Sequence, residues 1–272
     1  MEKKRLGILG SGYLSGVVVK AWKDGFLDEY EIVGVMGRNP QTTKELAAEA
    51  GCPACESLEE LLAQKPEYIT EAASVQMIKD SAEKILASGS SLVVLSIGAF
   101  ADTEFYERIR QTAAKHGTRV YIASGAVGGF DVLRTVSLMG QAAAGGARAE
   151  GITVSGIETH KGPGSLKNTP LFEEHLMEDE SETHVFHGNA REAIGLLPTK
   201  VNVAVAASLA TTGPEKTGVD IYSVPEFVGD DHKITAEIPG VKAVVDIYSS
   251  TSEIAGWSMV AVLRNIVSPI VF

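Results

Sequence analysis

The sequence predicts an α/β chain: a doubly wound parallel sheet followed by a second, α+β domain built on an antiparallel sheet. Three observations point there. Short apolar runs alternate with amphipathic segments through the first 124 residues. A glycine-rich turn follows the first of those runs, in the stretch LGILGSGYLSG at Leu6–Gly16. Beyond residue 125 the alternation gives way to period-two runs separated by turn residues. Strand–helix alternation is satisfied by parallel strands with right-handed crossovers, whereas period-two runs around tight turns suit antiparallel pairing.

The elements follow in order. Arg5–Leu9 is a short apolar strand, and a helix runs from the glycine turn through Lys23. Glu31–Met36 is a strand of β-branched character. Thr42–Ala50 is helical, and Ser57–Gln64 is a short helix that Ser57 caps and that stops ahead of Pro66. Tyr68–Ala72 is a buried strand, Val75–Ser88 a helix, Ser91–Ser96 a strand, Asp102–His116 a helix and Arg119–Ala123 a strand. The second half opens with a helix over Phe130–Ala144. Gly151–Glu158, Ser181–His187 and Gly218–Ser223 follow as strands, with helices over Glu192–Leu197 and Asn202–Thr211. His232–Ile238 and Lys242–Tyr248 flank Pro239-Gly240, a hairpin turn. Glu253–Val267 carries a helical stripe at Ile254, Trp257, Ala261 and Val262 that packs back on the first domain.

Composition narrows the function classes. The chain has 272 residues, enough for two domains, with 44% hydrophobic and 22% charged residues, an ordinary globular balance. No run approaches the roughly 18 apolar residues of a membrane span. The opening Met-Glu-Lys-Lys-Arg leads straight into a strand, without a signal-peptide pattern, so a cytoplasmic location is expected. A formal net charge of −11 opposes nucleic-acid binding, which rewards clustered Lys and Arg. It leaves room for anionic small molecules, which need only a local basic pocket.

The glycine turn is the first candidate site. Gly10 and Gly12 occupy the first two positions of a GxGxxG fingerprint, Ser15 stands at the third, and Gly16 follows. The first glycine permits the turn and the second lets backbone approach a pyrophosphate. The third eases helix–strand packing, a place where Ser is tolerable. With Tyr13 and Leu14, these residues open a helix whose N-terminus favours phosphate, and they predict dinucleotide binding. The second strand ends Val35-Met36-Gly37-Arg38-Asn39, with no carboxylate for an adenosine ribose. Arg38 could instead grip a 2′-phosphate, so the reading leans to NADP over NAD. Ser74 and Ser96 end further strands at the edge where open α/β sheets bind ligands. The organisation expected is a Rossmann-type dinucleotide-binding domain at 1–124, a substrate and catalytic domain at 125–250, and a C-terminal helix at 251–272.

Other reactive residues divide into candidates and bystanders. Cys52 and Cys55 form C-P-A-C, but they lie between two helices rather than at a helix start after a strand, and a four-ligand zinc site lacks partners nearby. They read as a surface connection. His116 ends a helix, and His175, His184 and His187 lie in a polar acidic stretch, where they read as structural. His232, after Asp230-Asp231 and before a strand, is the candidate acid/base, since imidazole titrates near neutrality.

These features, with SGAVGGFDVL at Ser124–Leu133, HKGP at His160–Pro163 and LLPTKVNVA around Asn202, resemble the L-aspartate dehydrogenase family. The small residues Gly125, Ala126, Gly128 and Gly129 are expected to leave backbone amides bare for a planar ligand. The resemblance implies that Ala126 and Asn202 touch the nicotinamide half of the cofactor. His232, at its preserved distance from Pro225, would be the catalytic base. Lys161 would bind a substrate carboxylate from a defined turn, and the family suggests a homodimer. The implied reaction is oxidation of L-aspartate to iminoaspartate, which hydrolyses to oxaloacetate and ammonia and in the family feeds NAD biosynthesis. Three positions depart from the family pattern: Val224 stands for Asp, Asp230 for Asn, and Gly162 for Pro. A carboxylate at Asp230 is expected to favour the protonated form of His232. Two alternatives remain open at this point: the same scaffold acting on another small amino or hydroxy acid, and a non-catalytic NADP-binding sensor.

Overall fold

A computed structural model describes residues 2–147, 151–152, 154–198 and 200–272. The chain forms two compact units: one runs to Gly125 and includes Glu253–Phe272, and the other is Ala126–Ser252. Among the described residues, no helix is long and apolar enough to cross a membrane.

The first unit holds strands β1 (Lys4–Leu9), β2 (Tyr30–Met36), β3 (Ala54–Cys55), β4 (Tyr68–Glu71), β5 (Ser91–Val94) and β6 (Val120–Ile122). They form one sheet in the order β3-β2-β1-β4-β5-β6, every pair parallel. Helices α1 (Tyr13–Lys23), α2 (Pro40–Ala50), α3 (Leu58–Ala63), α4 (Val75–Ala87) and α5 (Thr103–His116) connect them. Central strands are buried on both faces, as a doubly covered sheet requires: Leu6, Ile8, Leu9, Leu92, Val93 and Val94 have no exposed surface. Helix α9 (Glu253–Val267) belongs to this unit. Met259, Val260 and Leu263 enter its core, and the Tyr30 hydroxyl donates to the Leu263 carbonyl at 2.7 Å. Gly256 lets α9 approach α1, since a Cβ there would lie 2.7 Å from Val17 Cβ.

Three details differ from the sequence reading. Helix α2 starts two residues earlier than Thr42, because Asn39 caps it and Pro40 presets its first turn. A buried 3-10 turn, Ile97–Ala101, intervenes after β5. The C-P-A-C segment is not a surface connection: Ala54–Cys55 pairs with Val35 and Met36 as β3, and Cys55 is buried. Burial pushes the Cys52 thiol up to about 11 and the Cys55 thiol up as well, so neither is a ready thiolate.

The second unit holds α6 (Phe130–Ala143), β7 (Val154–Lys161), β8 (Thr183–Asn189), α7 (Ala190–Leu196), α8 (Asn202–Ala210), β9 (Gly218–Ser223), β10 (Asp230–Ile238) and β11 (Val241–Ser249). Its sheet runs β11-β10-β7-β9-β8; β7 and β9 pair in parallel and the other pairs are antiparallel. Strand β7 begins three residues after Gly151 and continues to Lys161; Thr153 of the expected strand, and Thr199 of LLPTKVNVA, lie outside the described residues. The β10–β11 hairpin turns at Pro239-Gly240, where Gly240 takes φ +83°. Ile157, Val219, Ile221, Ile234 and Ala236 form the buried face, joined by Leu133 and Val136 of α6 and by Ala204 and Ala207 of α8. Glu158, His160, Asp220, Tyr222 and Lys233 alternate with these residues and lie on the opposite face.

Candidate active site

In the first unit the carboxyl ends of β1, β2, β4 and β5 converge around the glycine turn. Gly10 has φ +111°, and a Cβ there would sit 2.5 Å from the Ala72 carbonyl oxygen. It is therefore required by the close passage of β4 as much as by the turn. Gly37 plays the matching part at the end of β2, where a Cβ would meet Ser11 Oγ at 2.2 Å. Ser11 Oγ is in turn bonded to Thr42 Oγ1 at 2.9 Å and Thr43 Oγ1 at 3.0 Å, which ties the turn to the start of α2. Gly12 is the N-cap of α1, and a Cβ there would meet nothing within 4 Å. Helices α2 to α5 are capped by the side chains of Asn39, Ser57, Ser74 and Asp102, whereas α1 has no side-chain cap and no acidic residue in its first turn. An open, uncapped helix start behind a glycine turn has the donor set that fits a pyrophosphate.

The remaining first-unit candidates divide by what already engages them. Arg38 lies between β2 and the Asn39 cap. The Asn39 side chain accepts from the Gln41 and Thr42 amides at 2.9 and 3.3 Å, leaving its neighbour's guanidinium as the group suited to an anion. Tyr13 is exposed, and its hydroxyl donates to Glu253 Oε1 at 2.7 Å, while Leu14 packs against the core. Ser74 caps α4 through Met77 N at 3.1 Å. Ser96 is spent on Glu71, which accepts its hydroxyl at 2.7 Å and its amide at 3.0 Å. Glu71 also accepts from the Ala73 and Ser74 amides at 2.7 and 3.1 Å. Burial pushes its carboxyl up, against the lowering effect of these bonds. Sequence reasoning missed Glu71; a carboxylate ending an otherwise apolar strand, YITE, was the available signal.

In the second unit a polar group continues the buried face of the sheet. Antiparallel pairing of β10 with β7 sets Ile234 against Ile157, then His232 against Thr159, then Asp230 against Lys161. Residues two apart share a face, so core gives way to chemistry along one ladder. His232 Nδ1 lies 3.0 Å from Thr159 Oγ1. Lys161 Nζ lies 3.0 Å from Asp230 Oδ1. Lys161 is 3% exposed and closes a strand, which corrects the expectation that a turn presents it. Asp230 does raise the His232 pKa, but burial outweighs it, aided by Lys161 and His160, and the imidazole falls to about 4. Asp230 thus acts in the expected direction, while the net shift is downward. Near pH 7 it is a neutral imidazole, and Thr159 engages Nδ1, which leaves Nε2 for proton transfer. Thr159 was not legible as a partner, because strand register is needed to bring it opposite His232.

The other second-unit candidates are placed less sharply. Ala126 is half-buried in the turn before α6, and Asn202 opens α8. The amides around Ala126 are not all bare: Gly125 N donates to Ser258 Oγ at 3.0 Å. Gly129 abuts β11, where a Cβ would lie 2.5 Å from Val245 Cγ2. A depression beyond the β7 and β9 ends is edged by Asp179, Glu180, Glu182 and Glu226, and these carboxylates make it a poor cradle for a dicarboxylate.

Residues 141–266 match the family model described as aspartate dehydrogenase, C-terminal, and residues 7–123 match that of the homoserine dehydrogenase NAD binding domain. An L-aspartate dehydrogenase of Methanococcus maripaludis strain C6 is 30% identical over 275 residues, covering 98% of each chain. That of Methanosarcina mazei is 31% identical over 278 residues with the same coverage. The solved aspartate dehydrogenase of Thermotoga maritima shares the fold, with a TM-score of 0.74 at 24% identity over 100% of both chains. Matched over nearly its whole length, the chain is an enzyme of the L-aspartate dehydrogenase family.

Proposed function

We propose that the enzyme carries out NAD(P)-dependent oxidative deamination of L-aspartate to iminoaspartate, which hydrolyses to oxaloacetate and ammonia. The observation that carries this reading is the ladder Thr159–His232 and Lys161–Asp230 at the end of the core face of β7 and β10. When bound, the nicotinamide ring would supply the hydride acceptor for the substrate Cα. His232, neutral near pH 7, takes a proton through Nε2, passes it to solvent and then assists water at the imine carbon; in the tautomer that frees Nε2, Thr159 Oγ1 accepts from Nδ1–H. Lys161 offers the cation for a substrate carboxylate, and its buried stem holds it in one place. In this reading Gly10, Gly12, Tyr13, Leu14, Asn39, Ser74 and Ser96 are the cofactor-binding residues of the first unit, and Ala126 and Asn202 are those of the second. Arg38 favours NADP over NAD through the 2′-phosphate. The same reading makes the enzyme a cytoplasmic homodimer whose product serves NAD biosynthesis.

One observation favours a second reading. Asp230 already neutralises Lys161, which suits a substrate with one carboxylate fewer, an amino or hydroxy acid on the same scaffold. Measuring NAD and NADP reduction across aspartate, glutamate, alanine, malate and lactate separates the two. Aspartate should give the highest kcat/KM; preference for a monocarboxylate selects the second reading, and tight NADP binding without turnover on any substrate rejects both.

A further inference from the structure

The outer face of the second sheet carries a side-chain group that the proposed chemistry does not use. His184 and His187 stand on β8, and Asp220 stands on β9. His184 Nε2 lies 2.9 Å and His187 Nδ1 2.8 Å from the same oxygen, Asp220 Oδ1. One ligand atom from each residue falls within 4.8 Å of the other two, and among the described residues no other three His, Cys, Asp or Glu side chains converge in this way. His175 shows the difference. It meets Asp179 through Nδ1 and Glu173 through Nε2, on opposite edges of one ring, so those carboxylates cannot close on a common ion.

A local irregularity creates the convergence. Residues three apart on a regular strand point to opposite faces. The register shifts between His184 and Phe186, so that His184 pairs with Tyr222 and His187 with Asp220. Asp220 and Tyr222 are two apart on β9 and share a face, and the bulge brings both imidazoles to that face. Tyr222 is then sandwiched between His184, with ring centroids 4.6 Å apart and planes at 19°, and His160, at 4.8 Å and 10°. This stack orients the His184 ring toward Asp220. Glu158, opposite Asp220 on β7, adds a further carboxylate to the neighbourhood.

We propose that His184, His187 and Asp220 form a site for a divalent transition-metal ion, zinc being the best chemical match, with water completing the coordination. Two imidazoles and a carboxylate suit zinc and its neighbours better than calcium or magnesium, which take all-oxygen sets. Tetrahedral zinc, with bonds of about 2.0–2.2 Å, keeps its ligands roughly 3.3–3.6 Å apart. Each imidazole therefore withdraws from Asp220 by roughly 0.5 Å to admit the ion, a small rotation for exposed side chains. Without the ion, each ring donates an N–H to Asp220 Oδ1. On binding, that proton moves to the other ring nitrogen by exchange with water, so that the freed lone pair faces the ion. The bound ion ties edge strand β8 to β9.

The test is a titration of tag-free, full-length protein with Co²⁺, followed by its visible absorption, and with Zn²⁺ by calorimetry. Wild type should bind one equivalent per chain, and zinc should raise its Tm. Asp220→Asn, His184→Ala and His187→Gln should each weaken binding by about tenfold or more and abolish the zinc-dependent rise. His187→Gln changes the most exposed ligand and keeps the fold testable if a harsher variant fails. A Cys52→Ala/Cys55→Ala double variant should retain the equivalent. The proposal is overturned if wild type binds no ion, if the His and Asp variants bind like wild type, or if binding disappears only with the cysteines.

Discussion

Lys161 Nζ lies 3.0 Å from Asp230 Oδ1 in an unequal pair: the lysine side chain is 4% exposed and the aspartate side chain 43%. The buried cation depends on its partner far more than the half-exposed anion does. Removing one member of such a pair leaves an uncompensated charge, and the penalty falls on the buried side. Asp230→Asn should therefore destabilise the substrate-free enzyme by about 1–3 kcal/mol. A substrate carboxylate would then take over the vacated cation, so KM for aspartate should fall, on the order of tenfold for about 1.4 kcal/mol of recovered pairing. Denaturant melts and steady-state kinetics on one preparation check both parts. Unchanged stability with a raised KM would separate Lys161 from the substrate.

His232 makes a pH prediction with a definite sign. Its folded pKa is depressed to about 4, while an unfolded histidine titrates near 6.5. Between those values the unfolded chain holds a proton that the folded chain refuses, so stability rises with pH across this window. The contribution is fully present above about 6.5 and is lost as pH falls through the folded value, at up to about 1.4 kcal/mol per pH unit. His232→Ala should flatten that part of the profile in urea melts from pH 4 to 7. The same variant should lower turnover by on the order of 10²-fold or more, with cofactor affinity nearly unchanged, as removal of a general base does. Wild-type rates would remove the base role from His232.

The parallel sheet was legible because its signals are local. Apolar runs such as Ser91–Ser96, caps at Ser57 and Asp102, and the Gly10–Gly12 turn each act within a few residues. What depends on register was not legible. Thr159 meets His232 only because β7 and β10 pair as they do, and Asp230 reaches Lys161 by the same register. The net shift of His232 was not legible for a related reason. The charge of Asp230 is visible in the chain, but the burial that outweighs it belongs to the packed sheet. Ser74 and Ser96 lie just beyond β4 and β5, and their bonds to Glu71 follow from the convergence of these strands.

Glu71 accepts hydrogen bonds from Ala73, Ser74 and Ser96 at that convergence, and every one of these partners donates. Glutamine keeps the shape but turns an NH₂ group toward at least one N–H or O–H. Glu71→Gln should therefore cost about 1.5–3 kcal/mol of stability in urea melts. It should also weaken dinucleotide binding, because the segments carrying Ser74 and Ser96 lose their common anchor. Stability and affinity equal to wild type would assign these segments another support.

The proposed preference for NADP rests on Arg38. It follows a strand that ends without a carboxylate, and the neighbouring Asn39 side chain is engaged in capping α2. If its guanidinium grips the 2′-phosphate, Arg38→Ala should weaken NADP while sparing NAD. The loss of a charge-assisted bond worth about 1.5–3 kcal/mol corresponds to roughly 10- to 150-fold in Kd. Fluorescence titration with both dinucleotides measures the ratio, and equal weakening of the two would exclude the assignment.

Substrate charge gives the sharpest test of Lys161. Lys161→Met keeps most of the apolar stem in its buried slot and deletes only the cation, so packing loss is kept small. If the ammonium holds the side-chain carboxylate of aspartate, kcat/KM for aspartate should fall far more than for alanine, which lacks that group. If it holds the α-carboxylate, both substrates should fall alike. Deleting the cation also removes one influence that lowers the His232 pKa, so that Asp230, which raises it, is opposed only by burial and His160. The acid limb of the kcat/KM profile should therefore move to higher pH in the variant. A merely structural lysine would leave both the aspartate-to-alanine ratio and that limb where they stand in wild type, so measuring the two together separates a binding role from a supporting one.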